Sequence, residues 1–272
     1  MDKKYNVVLT IAGSDSSGGA GIQADIKTCS ALGVYAMSVI TAVTAQNTHG
    51  VVSIEELSPE IVISQLKAVL DDITPDAVKI GMIPNASIAR AVCDIIKEYG
   101  LKNIVIDPVL KSTSGFEFSL KETREVLKSS LFPLASLITP NIPESSQLFD
   151  LSPTNITSYF DNKEIFPFDI LLKGGHGDDC NMVTDLLLMR NQNKPVCFSH
   201  QRVNTSNTHG TGCTLSSAIA SFLAMGFDIE KSVDSAIRWL SCALAEGADY
   251  SFGSGYGPVN HIFKQIKQWK LK

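Results

Sequence analysis

The run Thr208-His209-Gly210-Thr211-Gly212-Cys213-Thr214 combines two glycines, three hydroxyl side chains, an imidazole and a thiol just before an apolar-periodic segment. The pattern predicts a helix beginning near Gly212. The first turn of a helix presents unpaired N–H groups and the positive end of the helix dipole. Glycines remove side-chain obstruction there, so an anion can rest on the amides. Cys213 would lie in the same field, which is expected to lower its pKa and favour thiolate. The competing reading is a glycine turn that enters a buried helix carrying an inert cysteine.

Four other segments carry polar or glycine-rich chemistry. Gly13-Ser14-Asp15-Ser16-Ser17-Gly18-Gly19-Ala20-Gly21 follows a strand-like run and precedes a helical pattern. It matches neither the GxxxxGK[ST] phosphate loop nor GxGxxG, so it is either a flexible connection or a loop that lets backbone approach a ligand. Asp107 ends the apolar run Ile104-Val105-Ile106 and could hold Mg²⁺ directly or through water. In Thr139-Pro140-Asn141-Ile142-Pro143-Glu144, Asn141 reads first as a helix N-cap, and Glu144 completes a capping box. Lys173-Gly174-Gly175-His176 suits a phosphate or a solvated turn equally.

The elements that would position these segments alternate strand and helix. Strands are expected at 6–11, 34–45, 51–57, 77–80, 103–106, 135–138 and 168–172, with a strand pair at 182–189 and 194–198. Helices are expected at 20–32, 59–70, 86–99, 120–128 and 141–149, and through the last third of the chain. In the helix at 59–70, Ile61, Leu66 and Leu70 are assigned to one face. Such alternation predicts an α/β fold of three layers, with helices on both faces of a mostly parallel sheet. Each candidate segment follows a strand, so one sheet would collect them along one edge, where ligands bind in parallel sheets. The chain reads as one domain over residues 1–272, without linker, repeat or low-complexity block.

Composition excludes several classes. A net charge of −5 gives no electrostatic reason to expect nucleic acid. No apolar run approaches the roughly 18 residues needed to span a bilayer, and Met1 to Asn6 lacks signal-peptide character. The cytoplasm is therefore the expected location, with no membrane partner. None of the six cysteines forms C-x-x-C, so a zinc ribbon or dithiol centre is not expected. Most of them are read as small hydrophobes in helices or strands.

Leu9 to Asp15 with Ser17 to Asp25 resembles the opening of the hydroxymethylpyrimidine/phosphomethylpyrimidine kinases, a branch of the ribokinase-like superfamily. The same family is resembled by Thr44-Ala45-Gln46-Asn47-Thr48, Lys79-Ile80-Gly81-Met82, Asp107-Pro108-Val109, Thr139-Pro140-Asn141, Lys173-Gly174-Gly175-His176 and Asn207 to Thr214. The match is in order and runs down to Gly257-Pro258-Val259. The resemblance implies a ribokinase-like fold, a homodimer, and ATP and Mg²⁺ as cofactors. It implies transfer of phosphate to 4-amino-5-hydroxymethyl-2-methylpyrimidine and to its monophosphate, in thiamine biosynthesis. By position, Gln46 resembles the residue that hydrogen-bonds the pyrimidine, and Gly13, Ala20, Asp25, Met82 and Val109 resemble other parts of the substrate pocket. Gly210, Thr211, Gly212 and Cys213 resemble the catalytic anion hole. Asp107 and Glu144 resemble the Mg²⁺ region, and Lys173, Asn141 and Thr208 the ATP side. Between Phe149 and Lys173 the chain looks shorter than the family pattern, with Pro153 and Pro167 marking a surface helix shortened or lost.

Three alternatives compete. A pyridoxal kinase of the same architecture would take a similar ring, but the segment Leu110 to Gly115 lacks the second cysteine of dual-cysteine relatives. Gln46 also suits an aminopyrimidine edge. A cysteine hydrolase would use Cys213 with His209 or His176. A catalytically dead pyrimidine sensor would not need Asp107, Gly210, Gly212 and Cys213 together.

Overall fold

The computed structural model describes residues 4–110, 121–161, 166–176 and 181–263. Nine strands form one sheet: β1 (Val7–Asp15), β2 (Tyr35–Asn47), β3 (Gly50–Glu56), β4 (Ala77–Ile80), β5 (Ile104–Ile106), β6 (Leu137–Ile138), β7 (Asp169–Leu172), β8 (Met182–Leu188) and β9 (Val196–Gln201). Their order is β3-β2-β1-β4-β5-β6-β7-β8-β9. The ladder is parallel from β2 across to β7, and β3, β8 and β9 join antiparallel to their neighbours.

The helices are α1 (Gly21–Ala31), α2 (Pro59–Leu70), α3 (Ala86–Tyr99), α4 (Lys121–Val126), α5 (Ile142–Phe149), α6 (Thr157–Asp161), α7 (Thr211–Ala224) and α8 (Ile229–Gly247). Local chemistry sets several of their ends. Asn85 Oδ1 accepts from Ile88 N–H at 2.9 Å to start α3, and Gly100, at φ 61°, stops it. Asp228 Oδ1 accepts from Lys231 N–H at 2.7 Å at the head of α8. The expected capping box is present on α5: Asn141 N–H donates to Glu144 Oε2 at 2.9 Å, and Glu144 N–H to Asn141 Oδ1 at 2.8 Å.

Strand alternation separates two cores. Leu9, Val78, Ile104, Ile106, Ile138 and Ile170 pack with Val62, Leu66, Ile88, Val92 and Leu148 on the face covered by α2, α3 and α5. Val8, Ala77, Val105, Leu137 and Leu171 point the other way, against Cys29 of α1 and apolar residues of α7 and α8. Both faces are thus buried, as a parallel sheet requires.

Three local expectations are corrected. Ile61 is 47% exposed, and Val62 takes its place beside Leu66 and Leu70 on the buried face of α2. A step of four residues from 62 to 66 and again to 70 stays on one side of a 3.6-residue turn, which 61 does not share. Past α4 the chain tightens into a π turn (Leu127–Leu131) and a 3₁₀ turn (Phe132–Leu134) rather than continuing as one α-helix. Cys197 and Cys242 are exposed; only Cys29 and Cys93 behave as buried hydrophobes, and Cys180 lies outside the described residues. Between Phe149 and Lys173 the helix α6 has five residues, pinned by the buried Tyr159. Among the described residues, no helix is long and apolar enough to cross a membrane.

Candidate active site

The C-terminal ends of the parallel strands open into one cavity of about 700 Å³. β1 delivers Gly13 and the loop to Gly21, β2 delivers Gln46, and Met82 follows β4. Asp107 and Val109 follow β5, Asn141 and Glu144 follow β6, Lys173 follows β7, and Thr208 to Cys213 follow β9. The collection of five segments by one sheet edge is therefore observed. Gly13, Ala20, Gln46, Met82, Val109, Asp107, Asn141, Glu144, Lys173, Thr208, Gly210, Thr211, Gly212 and Cys213 all line the cavity.

Asp25 does not. Its side chain is fully buried beneath the floor. There it receives Lys79 Nζ at 2.9 and 2.8 Å, Thr10 Oγ1 at 2.6 Å and Ser217 Oγ at 2.7 Å. These four bonds hold Asp25 in the core, outside the lining of the cavity. Sequence adjacency to the glycine loop suggested the pocket. The helical turn from Gly21 to Asp25 directs the carboxylate into the core on the α7 side.

The turn into α7 is open at its N-terminal end, an arrangement that can receive an anion. Gly210, at φ 79°, is its N-cap and supplies no capping side chain. A Cβ there would collide with the carbonyl of Gly19, so the close approach of the two loops requires glycine. Thr211 N–H is taken by the Thr208 carbonyl at 3.2 Å. The following amides, Gly212 and Cys213, begin a 14-residue helix. A Cβ on Gly212 would stand 3.2 Å from Asp107 Oδ2 and 3.4 Å from Lys173 Nζ, which places that pair directly over the turn.

The charges beside the turn are coupled. Lys173 Nζ donates to Asp107 Oδ1 at 2.7 Å, and Thr139 Oγ1 reaches the same oxygen at 3.3 Å. Burial works against the Lys173 ammonium, yet the Asp107 and Glu144 carboxylates hold its pKa above the ordinary value. Burial pushes the Glu144 carboxyl up, opposed by Lys173.

Cys213 departs from expectation. Burial pushes its thiol up to about 11, and the nearby Asp25 and Asp107 add to the rise against Lys79. Desolvation and the two carboxylates outweigh Lys79 and the hydrogen bond from the Gly21 backbone, so the half-buried Cys213 is held toward its neutral form.

Next to Gly210, His209 Nε2 lies 2.8 Å from Asp15 Oδ2 and 3.3 Å from Gln46 Nε2. Asp15 also accepts the N–H groups of Ser17, Gly19 and Ala20 at 2.8, 3.0 and 2.8 Å. Burial alone would raise its pKa, but the bonds from His209, Ser17 and Ala20 bring it down to about 2. His209 Nε2 is thus engaged by Asp15 and the edge of Gln46.

A family model described as phosphomethylpyrimidine kinase matches residues 15–260. The chain belongs to the phosphomethylpyrimidine kinase family. It is 42% identical to the hydroxymethylpyrimidine/phosphomethylpyrimidine kinase of Salmonella typhimurium, over 93% of this chain and 96% of that one. The solved phosphomethylpyrimidine kinase of Clostridium difficile superposes with a TM-score of 0.76 at 42% identity, covering 89% of this chain and all of that one. An ADP complex of Bacillus subtilis pyridoxal kinase superposes at 0.84 with 31% identity, over 97% and 100%. The chain spans about half the length of some relatives, as in the rice "probable thiamine biosynthetic bifunctional enzyme", matched at 43% identity over 94% of this chain and 48% of that one. These neighbours fix the fold as ribokinase-like.

Within this family fold, Asp15 and Thr44 were not singled out as site residues from sequence, and His209 entered only as a partner of Cys213 in the hydrolase alternative. Asp15 and His209 stand 194 positions apart, and no local pattern signals that a β1 end and an α7 start will meet. The one available hint was that both lie inside glycine-rich segments following strands. The segment 111–115, where a second cysteine would matter, lies outside the described residues.

Proposed function

We propose that this chain transfers the terminal phosphate of ATP to the hydroxymethyl oxygen of 4-amino-5-hydroxymethyl-2-methylpyrimidine, and then phosphorylates the monophosphate to the diphosphate. The carrying observation is that one cavity holds the uncapped α7 turn, the charged group Lys173, Asp107 and Glu144, and the less polar group Gln46, Met82 and Val109. A charged group suits a nucleotide phosphate and a mixed apolar group with one amide suits a flat polar ring. The names of the relatives support the acceptor, and the ADP complex of the pyridoxal kinase supports the donor.

Phosphoryl transfer passes through a loose transition state, so positioning and charge neutralisation supply most of the rate. The Gly212 and Cys213 amides receive the phosphoryl oxygens, and Lys173 adds a fixed positive charge beside them. Gln46 holds the ring. Cys213, neutral at pH 7, shapes the turn and does not act as a preformed base. Asp107 and Glu144 offer hard oxygen donors, and Mg²⁺ takes one or two carboxylates with substrate phosphates and water. The two carboxylates therefore fit the ion, although no cluster of three ligating side chains exists among the described residues. When bound, Mg²⁺ would neutralise phosphate charge.

Purified protein with ATP, Mg²⁺ and the pyrimidine is expected to release ADP and form the mono- and then the diphosphate, read by mass spectrometry. Absence of turnover would end the proposal. Pyridoxal remains the second reading, because overall shape matches both kinase types; kcat/KM is expected to favour the pyrimidine, an aminopyrimidine edge being what Gln46 complements. We also assign the family homodimer to this chain, and light scattering should return twice 29.3 kDa. A monomer mass would remove that assignment. An ATP-driven reaction of this kind fits a cytoplasmic location.

A further inference from the structure

We infer that the Asp15–His209 pair is a positioning device that fixes which way round the Gln46 amide faces, and through it the register of the substrate ring. This rests on the reading of Gln46 as the pyrimidine partner. Asp15 accepts N–H or O–H groups from Ser17, Gly19, Ala20 and His209, so its carboxyl is ionised through the working range. An ionised carboxylate 2.8 Å from His209 Nε2 requires a hydrogen on that nitrogen. His209 Nε2 is then a donor and cannot accept.

The Gln46 amide sets Nε2 3.3 Å from His209 Nε2 and Oε1 3.2 Å from Thr44 Oγ1. That arrangement faces two donors toward each other. Thr44 Oγ1 also lies 3.0 Å from the Ser14 carbonyl, to which its one hydrogen can go. Amide oxygen and nitrogen are near-isosteric, and the network decides between them. Rotating the amide by half a turn removes the conflict: the one His209 Nε2 hydrogen goes mainly to Asp15 and is shared at longer range with Gln46 Oε1, Gln46 Nε2 donates to Thr44 Oγ1, and Thr44 donates to Ser14. The backbone of Gln46 is already stapled, its N–H donating to Ser16 Oγ at 2.8 Å and its carbonyl accepting from Ser16 Oγ at 3.0 Å. Only the amide direction remains to be set.

The direction matters because the substrate edge is polar in one sense. The ring nitrogen beside C4 accepts and the 4-amino group donates. With Oε1 on the His209 side, the amino group pairs on that side. The hydroxymethyl group, on the next carbon past the amino group, then lies toward Gly210, the residue after His209. A reversed amide would pair with a reversed ring and point the hydroxymethyl away from the α7 turn. Asp15 and His209 thus act through Gln46, without touching the reacting atoms.

The test compares kcat/KM for the pyrimidine and for the analogue lacking the 4-amino group, in wild type, His209→Leu, His209→Gln and Thr44→Val. Thermal melts accompany each variant. The ratio between the two substrates is expected to fall about tenfold in His209→Leu, which offers no donor to the carbonyl, the scale of one misplaced hydrogen bond. Thr44→Val removes the other anchor and should lower the same ratio. His209→Gln, whose amide N–H can still donate, should keep most of it. If His209→Leu lowers kcat/KM for both substrates in parallel and leaves their ratio at the wild-type value, the residue is only structural and the inference is overturned. If wild type turns over neither substrate, the proposed function fails and takes this inference with it; wild-type turnover with an unchanged ratio in all variants removes the inference alone.

Discussion

At the scale of single residues, the chemistry of the site is decided by who surrounds each group. Cys213 shows this most sharply. A thiol at a helix start is expected to ionise easily, yet burial and the Asp25 and Asp107 carboxylates carry it up to about 11. At pH 7 about one molecule in ten thousand would hold a thiolate. Carbamidomethylation at Cys213, followed on its own peptide by mass spectrometry, should therefore accelerate about tenfold per pH unit from 7 to 10. Fast labelling at pH 7 with a flat profile would show that the thiol is ionised after all. Cys213→Ala should lower turnover at least tenfold through loss of shape and packing at the phosphate turn, with pyrimidine binding by calorimetry largely kept. Wild-type turnover in that variant would deny the side chain any catalytic part.

At the scale of elements, helix starts do two different jobs with different residues. On α5, Asn141 and Glu144 consume each other's backbone donors, so the end is closed, although both side chains still border the cavity. On α7, Gly210 brings no capping side chain, so the end stays open toward the cavity. Asn141 is the cap that its spacing predicts, and it also lines the cavity. Gly210→Ala tests the α7 end. A left-handed alanine costs about 1–2 kcal/mol, and the added methyl also meets the Gly19 carbonyl. The melting temperature should drop and turnover should fall more steeply than stability, because the glycine loop must retreat from the turn. Unchanged kcat with an unchanged melt would mean that the loop approach is dispensable.

At the scale of the whole molecule, the cavity rests on a buried ionic post. Asp25 on α1 joins Lys79 on β4, Thr10 on β1 and Ser217 on α7, all fully buried. This network ties two helices to two central strands below the α7 turn. Removing one charge of such a pair leaves the other stranded, at about 3–5 kcal/mol. Asp25→Asn should lose stability of that order in a denaturant titration. Replacing Lys79 by Met in the same protein should recover part of the loss, because no uncompensated charge is left inside. If the double variant is no more stable than the single one, the ion pair is not what holds this junction.

The sequence by itself determined the alternation of strands and helices, the ends of α2, α3 and β4, the capping box on α5 and the family, and through its motifs it named fourteen residues that line one cavity. Those properties are written in short windows: periodicity, caps, glycines and ordered motifs each act within a turn or a strand. The tertiary structure alone decided that Asp25 belongs to Lys79, that Cys213 stays neutral, and that Asp15 meets His209 across 194 positions. Each of these depends on burial and on charges brought together by the sheet, and desolvation has no signature in the order of residues along a chain.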